Sequence, residues 1–327
     1  MGHGMAPARR MKRRAALAVG LLPLSARAQG SWPTRPIRLV VPFAPGGTTD
    51  VVGRIVAERL GARLGQPVVV ENRAGAGATL GAQQVARAEP DGYALVVSSS
   101  TSHGVSPALY PNIPYDALRD FTHIAMIARS PSVLLVNPSS PVRTLADFAA
   151  AARAAGEIRF AVAGIGTSSH LAGVRLAGAL GVRTESIPYR GAGPALTDLI
   201  GGVVPAMLDS LPSAGPHVRA GALRALAVSG AERAGGFPDL PTLREGGLDV
   251  VSYAWFGISG PAGLPAPITD RLSREIRAVL TDPATRARLE ELGGAPPDTT
   301  PESYTAFVRD ELASFAPLVR AAGLQPQ

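Results

Sequence analysis

Between residues 36 and 98 the hydrophobic period of this chain changes four times. "IRLVV" is a short β-rich run, and Val51, Val52, Ile55, Val56, Leu60 and Leu64 then recur at helical spacing up to Gly65. "PVVVEN" reads as a second strand, residues 78–88 as a helix and "YALVVSSS" as a third strand. Strand–helix–strand connections of this length return each strand in the same direction, so the pattern dictates a parallel sheet covered on both faces.

The same grammar returns downstream. Thr144 and Asp147 stand at capping-box spacing before an alanine-rich helix ending at Ala155. Strand "IRFAVAG", a helix over 168–180, strand "TESIPY", a helix over 194–200, strand "VPAMLDS", a helix over 216–220 and strand "LRALAVS" follow. A second α/β unit is therefore expected. Pro- and Gly-rich spacers near 137–141 and 236–247 mark the joints. Beyond them lie the β-rich "VSYAWFGISGP" and two amphipathic helices, one carrying Ile268, Leu272, Ile276 and Leu280, the other Tyr304, Phe307, Val308, Leu312 and Leu318. Packing these back on the first unit gives residues 31–130 plus 251–327 as one lobe and 131–250 as the other, with two chain crossings that suit a hinge.

The first residues belong to neither lobe. "MKRRAALAVGLLPLSARA" has a basic start, a short apolar stretch and small residues at Ala26-Arg27-Ala28, the pattern of a secretory leader over residues 1–28. Met1, Met5 and Met11 are all candidate starts, and either a general or a twin-arginine export route fits. The leader holds six of the 32 Lys+Arg and none of the 25 Asp+Glu, leaving 26 against 25 and little of the formal +7. No basic field for nucleic acid remains. With no cysteine and Lys12 as the only lysine, the exported part has neither thiolate, Schiff-base nor P-loop chemistry.

Candidate binding residues cluster where strands enter helices, the usual ligand position in doubly wound sheets. "VPFAPGGTTD" offers Phe43, Ala44, Gly46, Gly47, Thr48, Thr49 and Asp50. Its glycines admit close backbone approach, and the free amides of the next helix attract an anion. An ordinary turn with Asp50 as helix cap fits the same residues. "AVAGIGTSSHLAG" repeats the arrangement with Gly166, Thr167, Ser168, Ser169 and His170, more polar donors than one N-cap needs. Two such helix tips facing each other across a cleft would grip a carboxylate. "SSSTSHGV" adds Ser100 and Thr101, although serine-rich loops are commonly just solvated, and "IPYRGAGPA" adds Tyr189 and Gly191. Asp209 ends an apolar strand, where it suits a ligand hydroxyl or amine and equally a helix cap.

Enzyme signatures are missing. Gly75, Gly77 and Gly81 do not complete a dinucleotide loop, no G-x-S-x-G elbow occurs, and His103, His123, His170 and His217 lack metal-ligand spacing. No catalytic residue, cofactor or metal is expected, and Trp255 and Phe256 read as core or hinge packing. An exported enzyme acting on an organic acid, or a receptor presenting its ligand to a membrane sensor kinase, remain as alternatives.

Taken together, "WPTRPIRLVVPFAPGGTTD", "VVVENRAGAGATLGAQQVARAEPDGYALVVSS", "GTSSHLAG", "IPYRGAGPALTDLIGG", "LPSAGPHVRAGALRALAV" and "WFGISGPAGLP" run in order along the chain. On these stretches it resembles the substrate-binding proteins of tripartite tricarboxylate transporters, the Bordetella uptake gene (Bug) family. The resemblance implies a type II periplasmic binding protein fold whose two α/β lobes close on a small organic acid. It implies that residues 43–50 and 166–170 hold a carboxylate, that Asp209 senses the distal part of the ligand, and that no cofactor is used. The implied partners are two integral membrane subunits driven by an ion gradient, and a monomeric state is expected. "GGVVPAMLD" departs from the family's more polar start to that strand.

Overall fold

The computed structural model describes residues 1–4 and 32–323; apart from residues 1–4, the leader expected over 1–28 lies outside the described residues. The first sheet region follows the sequence pattern. Strand β1 (Ile37–Val41) leads to helix α1 (Thr48–Leu64), strand β2 (Val68–Asn72), helix α2 (Thr79–Ala86) and strand β3 (Ala94–Ser99). β1 lies between β2 and β3 and is parallel to both. All six residues of β3 are buried, as a strand covered on two faces requires. α1 stops at Gly65, whose φ of 71° closes the last turn in the left-handed conformation that glycine adopts freely.

A π-helical turn (Thr101–Val105) and the short α3 (Ser106–Leu109) follow β3. This segment, which carries the candidates Ser100 and Thr101 and for which a solvated loop was the alternative reading, is buried. Its polar groups are satisfied in part: the Tyr115 hydroxyl donates to Ser102 O, and Ser102 Oγ meets His103 Nδ1 at 2.9 Å, while Ser100 Oγ and His103 Nε2 are buried without a hydrogen-bond partner in the protein.

No element is expected between 106 and 136, yet the longest strand lies there. β4 (Phe121–Val136) has 16 residues. Up to Pro131 it pairs antiparallel with β9 (Tyr253–Pro261), and from Ser132 it pairs with the second half of the sheet. Register shifts between His123 and Ala125, and between Met126 and Ala128, erase the two-residue alternation that would reveal it in the sequence.

The second half runs α4 (Leu145–Ala155), β5 (Glu157–Val162), α5 (Ser168–Leu180), β6 (Arg183–Pro188), α6 (Ala192–Ile200), β7 (Ala206–Ser210), α7 (Leu211–Arg219) and β8 (Arg224–Val228). The capping box at Thr144 and Asp147 forms as expected. β5 is parallel to β6 and β7, while β7 and β8 flank the end of β4. α7 begins five residues before the expected start, because Pro212 fits a first turn where no intrahelical N–H is needed.

Three helices close the chain where two are expected: α8 (Ala266–Thr281), α9 (Pro283–Glu291) and α10 (Pro301–Ala321). α9 is capped by Asp282, but its faces carry no apolar periodicity to announce it. α10 buries Tyr304, Val308, Phe315 and Val319, and the Trp255 ring stands edge-on to Tyr304 at 6.0 Å. The result is a curled nine-stranded sheet in order β2-β1-β3-β9-β4-β7-β5-β6, with β8 beside β4. Two α/β lobes hang on one continuous strand. Among the described residues no helix is long and apolar enough to cross a membrane.

Candidate ligand-binding site

The parallel strands of both lobes end at one small cavity of about 40 Å³. From the first lobe it is lined by Phe43, Gly47, Thr48, Thr49, Ser99, Thr101 and Phe256; from the second by Ala163, Thr167, Ser168, Ser169, Ala192, Asp209 and Ser210. The tips of α1 and α5 thus share one hollow. No Arg, Lys or His is among its walls.

Asp50 shapes the β1–α1 loop from behind. Its carboxylate accepts from Gly46 N at 3.0 Å, Arg54 Nε at 3.0 Å and Asn72 Nδ2 at 2.9 Å, while Asn72 also donates to Phe43 O. Burial raises this carboxyl, but the bonds from Arg54, Gly46 and Asn72 together outweigh it and hold the group below the usual carboxylate range. Asp50 therefore positions the loop and does not line the cavity.

On the other lobe Thr167 is the N-cap of α5: its Oγ1 accepts from His170 N at 3.2 Å and donates to Gly164 O at 2.8 Å. His170 turns back, its Nδ1 accepting from Gly166 N at 3.1 Å, and burial lowers its pKa to about 4, so the ring is neutral at pH 7. Gly166 and His170 are thus internal to the loop. Thr49 and Ser168 differ: both line the cavity, and neither hydroxyl has a hydrogen-bond partner in the protein.

Asp209 sits opposite, 4% exposed. Burial pushes its carboxyl up to about 6, against the lowering bonds from the Ser213 hydroxyl and Ser210 N–H. Ser213 Oγ spends its single proton on Asp209, so it must accept from Thr48 Oγ1 at 2.6 Å, and Thr48 in turn accepts from Ser213 N at 3.3 Å. This chain ties α1 to α7 across the lobes. Ser168 N donates to Thr101 Oγ1 at 3.3 Å, and Ala44 N donates to Arg190 O at 3.2 Å, adding two more interlobe bonds.

The remaining sequence candidates lie nearby in other roles. Ala44 and Gly191 touch each other across the lobes; a Cβ on Gly191 would stand 3.0 Å from Ala44 N. Tyr189 donates its hydroxyl to Asp198 at 2.6 Å and lines an adjoining cavity. Gly46, with a φ of 84°, bends the loop. Ser100 is buried without lining the cavity. Sequence reasoning missed Ser99, Ala163, Ala192, Ser210, Ser213 and Phe256. Phe256, expected in core or hinge packing, is a cavity wall. Ser213 follows Asp209 by four residues but lies on the next element, α7, so spacing along the sequence gave no signal for it.

Residues 52–324 match the family described as Tripartite tricarboxylate transporter family receptor. The chain is 39% identical over 296 residues to protein BugT of Bordetella pertussis (strain Tohama I), covering 90% of this chain and 91% of BugT. It superposes on the periplasmic binding protein BugD with a TM-score of 0.86 at 37% identity, over 90% of this chain and 100% of the other. The structure of R. palustris Rpa4515 with adipate gives a TM-score of 0.87 at 34% identity, again over 90% and 100%. The fold expected from the sequence, two α/β lobes of the periplasmic binding protein type, holds.

Proposed function

This chain belongs to the tripartite tricarboxylate transporter receptor family, and on that premise we propose that it is a monomeric periplasmic receptor. It captures a small organic carboxylate and delivers it, chemically unchanged, to two integral membrane subunits of a tripartite tricarboxylate transporter. The observation that carries this reading is the shared hollow between the N-termini of α1 and α5, with the unpartnered hydroxyls of Thr49 and Ser168 in its walls. First-turn amides and helix dipoles of both lobes favour an anion there. In a cleft shielded from water, neutral donors are strengthened enough to hold a charge. The relative bound to adipate supports a carboxylate as ligand.

Ionised Asp209 repels a carboxylate and accepts hydrogen bonds, so it orients the ligand with its anionic end on the helix tips. A hollow of about 40 Å³ is far smaller than the roughly 300–1,000 Å³ of small-molecule pockets, so entry requires the lobes to part. β4 and the chain before β9 are the connections about which they would turn. Calorimetric titration of the purified protein with a panel of organic acids tests the reading. Thr49→Ala with Ser168→Ala should weaken the best acid by about tenfold or more, without lowering the ligand-free melting temperature. Unchanged affinity in the double variant rules out this site, and turnover of a bound acid rules out a pure receptor.

A further inference from the structure

The walls of the interlobe hollow leave one charge uncompensated. Among the described residues lining it, Asp209 is the only acid or base, and an incoming carboxylate brings a second negative charge into a space of about 40 Å³. The helix tips meet the charge of the ligand, but no cation in the walls meets that of Asp209. So small a space holds little water to screen the two, and their repulsion grows as the lobes close.

The charged groups on the surrounding elements are engaged elsewhere. On α1, Arg54 donates to Asp50; on α5, His170 accepts from Gly166 N and Arg175 donates to Val251 O. Glu157 and Arg159 of β5 pair with Arg183 and Glu185 of β6. On β4, Arg129 lies over the Tyr253 ring and His123 is held by Ser259 and Ala117 O, while Arg224 of β8 donates to Ser140 O and Val142 O. Asp198 of α6 accepts from Tyr189, and the exposed Arg190 lines the adjoining cavity. On α7, Arg219 donates to Gly236 O, and His217 stands on the half-exposed last turn.

The bonds of Asp209 accommodate either charge state. Ionised, it accepts from Ser213, which accepts from Thr48. Protonated, it donates to Ser213 Oγ; Ser213 then donates to Thr48 Oγ1, and Thr48 to Ser210 O at 3.4 Å. Each hydroxyl has one proton to give and rotates to suit. The interlobe chain survives with its direction reversed, so protonation breaks no bond of the closed state.

We propose that Asp209 binds a proton together with the carboxylate, so that the receptor captures an organic anion and one proton as a pair. The reading rests on the receptor function proposed above, which puts the charge of the ligand on the tips of α1 and α5. Repulsion from ionised Asp209 orients the acid on entry. A proton from solvent then neutralises the aspartate as the lobes close, and no bond of the acid changes. Burial already raises the Asp209 carboxyl to about 6, so the free receptor is mostly ionised at pH 7 and a nearby anion suffices to bring the proton on.

Calorimetric titration with adipate, succinate, malate and the tightest acid of the panel, each in phosphate and in Tris at one pH, tests this. The two buffers differ in heat of ionisation, so the difference counts the protons taken up with the acid. About one proton per acid is expected at pH 7 and, after correction for ionisation of the acid itself, about none at pH 5, where the free receptor already carries it. Affinity should rise about fivefold as pH falls from 7.5 to 6.5. Asp209→Asn has no carboxylate to protonate and should give equal heats in both buffers and an affinity independent of pH over that range. Equal heats for the wild type at pH 7, uptake undiminished at pH 5, or uptake that persists in Asp209→Asn overturns the co-capture and leaves the receptor reading standing. No binding by any acid to the wild type overturns both.

Discussion

Asp209 shows how a single side chain acquires its chemistry from burial. Burial pushes its carboxyl up to about 6, well above the usual aspartate range, because the charged form has lost its water. As pH rises from about 4 to 6 the unfolded chain gives up this proton while the folded chain keeps it. Stability contributed by the group therefore declines across that window, by up to about 3 kcal/mol for a shift of two units. Asp209→Asn should flatten this component: between pH 4 and 6.5 the variant gains stability relative to wild type, measured by denaturant unfolding. Parallel profiles for the two proteins would show that Asp209 is not held protonated. The aspartate was legible as a strand-end residue, but its strongest partner was not. Ser213 matters because Thr48, 165 residues away, reaches it.

Single elements explain how rigid the helix tips are. α5 lies close on β5 because Gly173 has no side chain; a Cβ there would fall 2.0 Å from Phe160 Cζ, with Phe160 fully buried. Gly173→Ala must push the helix off the strand and should cost about 1–3 kcal/mol. It should also weaken carboxylate binding, because Thr167, Ser168 and Ser169 move with the helix; unchanged melting temperature and affinity would mean that α5 has slack. Helices with a clear apolar stripe, such as α1 and α8, were readable from spacing alone. β4 was not, because its bulges and Pro131 break the alternation, and its stability comes from three partner strands. The π-helical turn escaped for a related reason: its Thr101, Ser102 and His103 are polar by composition yet buried, the His103 ring packing against Tyr115 and Phe121.

The whole molecule is defined by how closely the lobes meet. Gly193 on α6 is pressed against the β1–α1 loop, where an added Cβ would stand 2.1 Å from Pro45 O. Gly193→Ala should wedge the lobes apart. Affinity is expected to fall by about tenfold or more with little change in ligand-free stability, and small-angle scattering should show no compaction on adding ligand. Full compaction and wild-type affinity would contradict a closed state of this geometry. Acid should act on the molecule as a whole. Burial lowers the pKa of His103 well below 6.5, aided by the nearby His123 charge, and burial brings His123 and His170 to about 4. The unfolded chain protonates first as pH drops below 6.5, so stability is lost down to about 4. Three histidines outweigh the opposite slope of Asp209, and the melting temperature should fall between pH 7 and 4.5. A flat profile would mean that these rings are hydrated.

The alternation of periods, the turn residues and the helix caps are local properties, and they were sufficient to define two α/β units, their parallel strands and the two glycine loops that become helix tips. Those features depend on neighbours within a few residues, where φ/ψ preference and side-chain spacing act directly. The meeting of the tips, the continuous strand beneath both lobes, the Thr48–Ser213–Asp209 chain and the cavity beside Arg190 were decided only by the folded structure. Each joins residues far apart in the sequence, and burial or proximity of that kind has no signature in a local pattern.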